Sequence, residues 1–390
     1  MINRHEIRVV IPGILLLLLM TGGTLLCQEK KKAFSLDGYV SVLQSAMFDT
    51  LSGTVLFDNV IHNRLNLKAY AGKRLTFGTE IRNRLFTGDM ARTGYTYRNL
   101  IGTDAGWQDM SWNLISEKSF FFNTTVDRLW IDYNFGKFEI KAGRQRINWG
   151  QTLVWNPDDI FNAYSFFDFD YIERPGSDAV RLQYYPGSSS TVEAAVKVNS
   201  SKKLTAAGLW RFNRWGYDIQ FLGGYSDGSD IVAGAGWSGS LGSLSFRGEG
   251  SWFHAVNGST INTNTVIITS GLEKTFTDNS DIQVQLMYCN NPVRLTGFNS
   301  FYTGDLSAKE LAFSKFTAFG QFTWAVSPLL SLGTSAMWFP SIKGYFAGPS
   351  FDYSLAENID FSVIWQHFNS RRGSSPMNMN IAFLRVKMSF

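Results

Sequence analysis

Between residues 148 and 177 carboxylates and aromatic rings crowd a stretch with no helical or strand period: Asp158, Asp159, Asp168, Asp170 and Glu173 lie among Phe161, Tyr164, Phe166, Phe167, Phe169 and Tyr171. Cations stand apart from them, at Arg64, Lys68, Arg82, Arg84 and Arg128. Acids and bases on opposed walls of a narrow aqueous passage set up a transverse field, which orients polar solutes and filters ions. The plainer chemistry is mutual neutralisation, and the residue types allow both. Rings beside such charges can also stack on the faces of sugars.

Covalent and metal chemistry find little support. A Ser–His nucleophile pair needs a third group to orient its base, and Ser251, Ser362 and Ser370 near His254 and His367 carry no weight in a serine-rich chain. There is no nucleophile elbow and no His-x-x-x-His pair. Asp158 and Asp159 with Asp168 and Asp170 offer the oxygens calcium takes, without the spacing of a defined calcium loop. The sequence therefore predicts no enzyme, no cofactor and no metal site.

The elements that position these groups begin after residue 27. Arg4 and Arg8 precede an apolar run from Val9 to Met20 and a small-residue stretch, Thr21 to Thr24. That is the layout of a secretory signal peptide, too short to span a bilayer as a helix, which takes about 20 residues. Leu26 before Cys27 disfavours a lipid anchor, so cleavage is expected after Cys27, with residues 28–390 forming one domain. Cys289 is then the remaining cysteine, which leaves no intrachain disulfide. A net charge of +4 does not suggest nucleic acid.

Hydrophobic residues make up 44% of the chain and aromatics 15%, yet they are dispersed. From Leu75 to Leu85 odd positions carry Leu, Phe, Thr, Ile, Asn and Leu, while even positions carry Thr, Gly, Glu and two Arg. Val192, Ala194 and Val196 alternate in the same way with Glu193 and Lys197, as do Ile282, Val284 and Leu286 with Gln283 and Gln285. Period-two patterning of this kind belongs to strands with one apolar face. Short turns, near 71–73, 136–137, 186–190, 213–216, 240–243, 277–280, 327–329 and 356–358, alternate with connections that are often long, notably 87–123 and 148–177. Short turns at one end and long loops at the other are the pattern of an outer-membrane barrel. The expected fold is all-β, a transmembrane antiparallel β-barrel of about 18 strands, with 16 also compatible. Alternation starts again at Phe34, which leaves no plug domain.

The last strand alternates Ala382, Leu384, Val386 and Met388 with Phe383, Arg385 and Lys387 and stops at Phe390. It resembles the C-terminal recognition strand of bacterial outer-membrane barrels, which implies handling by the barrel-assembly machinery. The third long connection resembles the constriction loop of general porins. In GRQRINWGQTLVWNP, residues 143 to 157, Gly143, Arg144, Gln145, Trp149, Gly150, Asn156 and Pro157 resemble a motif of poorly characterised porin-like proteins, including the alginate-export type. The match spans about 40 of the 390 residues, and Gly150 with Pro157 would let the chain leave its strand sharply.

These features predict a porin-like channel in the outer membrane of a Gram-negative bacterium. It would pass small polar or charged solutes and be narrowed by loop 148–177. The pore constriction would carry Asp158, Asp159, Phe161, Tyr164, Asp168, Asp170 and Glu173, facing a basic wall of Arg64, Lys68, Arg82, Arg84 and Arg128. A polysaccharide-export or glycan-binding barrel and a barrel lipid enzyme stay open as alternatives. Expected partners are membrane lipid and a solute or glycan, and a homo-oligomer is compatible.

Overall fold

The computed structural model describes residues 33–49, 53–92, 95–164, 166, 173–174, 176–256, 264–293, 307–371 and 377–390. The expected signal peptide lies outside the described residues, as do Asp168 and Asp170. Nineteen strands form one antiparallel sheet. In the first half they are β1 (Phe34–Asp49), β2 (Val55–Ala71), β3 (Leu75–Gly88), β4 (Ser111–Ser116), β5 (Phe120–Phe135), β6 (Phe138–Gln145), β7 (Ser177–Gly187), β8 (Ser190–Val198), β9 (Leu204–Arg214) and β10 (Tyr217–Ser226). The rest are β11 (Asp230–Leu241), β12 (Leu244–Ala255), β13 (Asn264–Thr275), β14 (Asp281–Cys289), β15 (Phe316–Ser327), β16 (Leu330–Phe339), β17 (Gly344–Ala356), β18 (Ile359–Ser370) and β19 (Met377–Ser389).

Neighbours in the chain pair with each other, and β1 pairs with β19 in a register from Tyr39↔Ser389 to Asp49↔Met379, so the sheet closes into a barrel. Strand β4 stands outside this order. Strand β5 pairs with β3 along one edge, while β6 covers only Leu129–Phe135 of the other, and β4 pairs with the stretch 121–125 that β6 leaves bare. The wall therefore has the eighteen strands that the alternation predicts.

Closure follows from the solvent, because only a closed sheet leaves no unpaired backbone in hydrocarbon. Along β14 Ile282, Val284, Leu286 and Tyr288 are exposed outward while Gln285 and Met287 are buried, and this apolar face repeats around the barrel. At the short-turn end Tyr133, Phe135, Phe138 and Tyr184 stack in series, with ring centroids 5.7, 5.3 and 4.7 Å apart, as part of an aromatic girdle. The turns are tight. Trp215 and Gly216 both have positive φ, 53° and 77°, which is the twist-matched geometry of a two-residue hairpin turn.

Two irregularities shape the interior. The β3–β5 register shifts after Glu80↔Arg128, leaving Asp127 as an extra residue; such a bulge re-aims side chains, and Asp127 and Arg128 are both buried. The connection from β3 to β5 carries short helices at Asp89–Arg92 and Tyr95–Ile101 before β4.

Candidate functional site

Arg64 of β2 and Arg82 of β3 are directly opposed across their strand pair. Like charges in that position repel, and Asp127 offsets the repulsion. Its Oδ2 accepts from Arg64 Nη1 at 2.5 Å and its Oδ1 from Arg82 Nη2 at 3.1 Å. Glu80 accepts from Arg64 Nη2. Arg128 donates to the carbonyls of Glu173 and Arg174, at 2.9 and 2.7 Å. The Glu173 carboxylate lies 3.9 Å from Arg64 and accepts from the Tyr39 hydroxyl at 3.3 Å. Arg84 donates to Asn123 Oδ1 at 2.8 Å, and Lys68 is exposed. Three of the five predicted cations, Arg64, Arg82 and Arg128, thus gather with Glu173, and Asp127 ties them together.

The motif residues form the base of the loop that follows β6. Gly143 has φ +108°, and a side chain there would strike the Leu129 carbonyl of β5. Arg144 is buried and gives charge-assisted bonds to Asp178 Oδ1 (2.7 Å) and Oδ2 (2.9 Å) and to Asp104 Oδ2 (2.7 Å), and further bonds to the carbonyls of Val126 and Gln108. It therefore clamps the β3–β5 connection to the start of β7. Gln145 donates to the carbonyls of Lys141 (2.9 Å) and Ala179 (3.1 Å). Gly150 leaves room for the Asn156 side chain, and Asn156 in turn donates to the Tyr164 hydroxyl at 3.0 Å. Pro157 is buried in the turn that follows.

From this base the loop runs along the inside of the wall. The Trp149 indole donates to Glu193 of β8 at 2.5 Å, and Trp149 and Phe161 pack edge to face at 4.8 Å. The Phe161 carbonyl accepts from Ser177 and from Lys197 of β8, both at 2.7 Å. The Gln151 amide donates to Glu249 of β12, and the Val154 amide to Gln285 of β14 at 3.1 Å. Asp158 accepts from Gln220 of β10 at 2.8 Å and from Ser251 of β12 at 2.7 Å. Phe166 packs on Phe319 of β15 and Phe346 of β17. Glu193, Gln220, Ser251, Gln285 and Phe346 adjoin exposed Val192, Phe221, Trp252, Val284 and Tyr345 in their strands. Successive strand residues point to opposite faces, so the loop's partners face the lumen.

The carboxylates therefore divide. Glu173 meets the arginines, whereas Asp158 and Asp159 are fully buried near β9, β10 and β12. Burial pushes the Asp158 carboxyl up to about 7, against the pull of Ser251 and Gln220, and the Asp159 carboxyl up to about 6, against the charge of Arg146. Tyr164, also raised by burial, donates to the Leu153 carbonyl at 2.9 Å. Phe390 closes the sheet, exchanging backbone bonds of 3.0 Å with Gly38, and its ring is exposed.

Several residues of the site are absent from the expectation drawn from sequence: Asp127, Glu80, Asp104, Asp178, Gln220 and Glu249. Alternation from Phe121 through Asn123 and Thr125 does carry Asp127 to the inner face. Glu193 and Lys197 read as inward-facing for the same reason, but period alone says nothing of the loop that they hold.

No protein-family model matches the sequence, and no curated protein matches it. Solved structures do. OccK11 (OpdR) of Pseudomonas aeruginosa aligns at 9% identity with a TM-score of 0.58, over 92% of this chain and 96% of that one. OccAB3 of Acinetobacter baumannii aligns at 10% identity and 0.61, over 91% and 99%. OccAB2 of the same organism gives 10% and 0.59, over 91% and 98%. At such identities the likeness is one of fold alone.

Proposed function

We propose that this chain is an outer-membrane channel for passive diffusion of small polar or charged solutes, narrowed by the loop between β6 and β7. The observation that carries the reading is the course of residues 146–164, hydrogen-bonded to lumen-facing side chains on β8, β10, β12 and β14 inside a closed barrel. Eighteen strands enclose an aqueous interior, so a loop seated within it reduces the open cross-section. Glu173 beside Arg64, Arg82 and Arg128 supplies the acid and base of a transverse field. No step of this reading calls for catalysis. Its partners are lipid on the outer face and a solute in the lumen. Phe390 at the end of β19 is what the chain offers to the assembly machinery, and a homo-oligomer would pack through the apolar outer wall.

Single-channel conductance of the refolded protein in planar bilayers tests the reading, with wild type compared against a deletion of residues 161–171. Discrete steps that grow and change ion selectivity on deletion are expected. Correctly folded protein without steps, with or without the loop, would overturn it in favour of a plugged or glycan-binding barrel.

A further inference from the structure

Asp158 is seated in a notch of the wall it reaches. A methyl group on Gly234 of β11 would lie 2.6 Å from Asp158 Oδ1 and 2.7 Å from Ser251 Oγ, and one on Gly236 would lie 3.2 Å from Asp158 Oδ2. Two glycines spaced by one residue thus leave the space that the carboxyl fills. Gln220 on β10 and Ser251 on β12 flank it with one donor each. Loop and wall fit here as peg and hole, and the peg is an ionisable group with no exposed surface.

Acids and bases both surround the notch. Glu249 of β12 is also fully buried and accepts the Gln151 amide, and Asp159 is next in the loop. The cations are Arg211 of β9, facing Asp158, and Arg146 and Arg174 of the loop, facing Asp159. Strands β10 and β11 present the uncharged Gln220 and Leu222 and the two glycines. Two adjacent buried carboxyls are not both ionised cheaply, and Asp158 is faced by Arg211 while Arg146 and Arg174 serve Asp159.

We propose that Asp158 is a proton-sensitive anchor for the loop: protonated, it stays in the notch of Gly234 and Gly236 and holds the loop against the wall; ionised, it leaves, and the passage widens. The inference rests on the channel reading. Linkage sets the direction. Burial raises Asp158 from the ordinary 3.8 to about 7 in the seat. Seating is therefore strongest below the ordinary carboxylate range and weakens as pH rises toward about 7. Arg211, Ser251 and Gln220 moderate the effect, since all three favour the ionised form.

Planar-bilayer recordings of the full refolded chain at pH 5 and pH 8.5, at constant salt, test the anchor. In wild type the odds of a wider conductance state should rise by up to about 100-fold between the two, as the seated and ordinary acidities imply. Asp158→Asn keeps the shape without the charge and should lose most of the pH response, leaving the smaller part that Asp159 contributes. Gly234→Ala fills the notch and should show the wide state at both, its folding checked by gel mobility. Wild-type steps indifferent to pH, an unchanged pH response in Asp158→Asn, or the wild-type pH 5 pattern in folded Gly234→Ala would each overturn the anchor while leaving the channel standing. Absence of steps from folded wild type would overturn both.

Discussion

Replacing Arg144 with alanine should destabilise the barrel more than any surface change, and the size of the effect follows from its surroundings. The guanidinium is only 4% exposed and meets two carboxylates and two backbone carbonyls. Removing one partner of a buried ion pair costs about 3–5 kcal/mol, because the other charge is left uncompensated. Here the remaining acids keep some support: Asp104 accepts from the amides of Gly106 and Met110, both at 2.7 Å, and Asp178 from that of Gln108 at 3.1 Å. The expected loss is therefore near the lower limit, about 3 kcal/mol. Arg144→Lys keeps the charge but loses the fork that serves both acids, and should recover less than half. Denaturant unfolding in lipid vesicles measures the global loss, and limited proteolysis of residues 89–119 measures local release of the clamped connection. An Arg144→Ala protein within about 1 kcal/mol of wild type, with that connection equally protected, would refute the clamp.

The remaining predictions concern charge. Asp127→Asn removes the anion between Arg64 and Arg82, so reversal potentials in a salt gradient should shift toward anion preference; an unchanged potential would place the pair away from the ion path. The same variant should lose about 3 kcal/mol, as a broken buried pair does, and unfolding at wild-type denaturant concentrations would contradict that. Burial raises Asp159 to about 6, so its support for loop seating is complete below the ordinary 3.8 and lost as pH rises through about 6. Infrared titration should find a protonated carboxyl band that persists above pH 5 and shrinks in Asp159→Asn; a band gone by pH 5 in wild type would show that the site is wet.

Much of the wall is legible in the chain because each strand answers to its own solvent. Lipid on one side and water or packed protein on the other impose a period of two that needs no distant partner to be read, and turn residues such as Trp215-Gly216 mark where it restarts. A count of about eighteen strands, with sixteen also compatible, the short-turn end and the inward face of Arg64, Arg82 and Arg84 follow from it together with the turns. The motif around Arg144 likewise marks the base of the loop. Other facts were settled only by which parts of the chain meet across the barrel. Asp158 and Asp159 belong to an aperiodic segment, and nothing in their spacing tells that Asp158 turns toward Gln220 and Ser251 and Asp159 toward Arg146 and Arg174 of its own loop, instead of the arginines of β2, β3 and β5. Gly234 and Gly236 look like ordinary small residues of β11 until a carboxyl from 76 positions earlier in the numbering is found in the gap at Gly234. Asp127 becomes the tie between two arginines only because a one-residue bulge shifts β5 against β3. Period is a local response to solvent and survives in the sequence; pairing between a loop and a distant wall is a matter of three-dimensional fit, which no local pattern records.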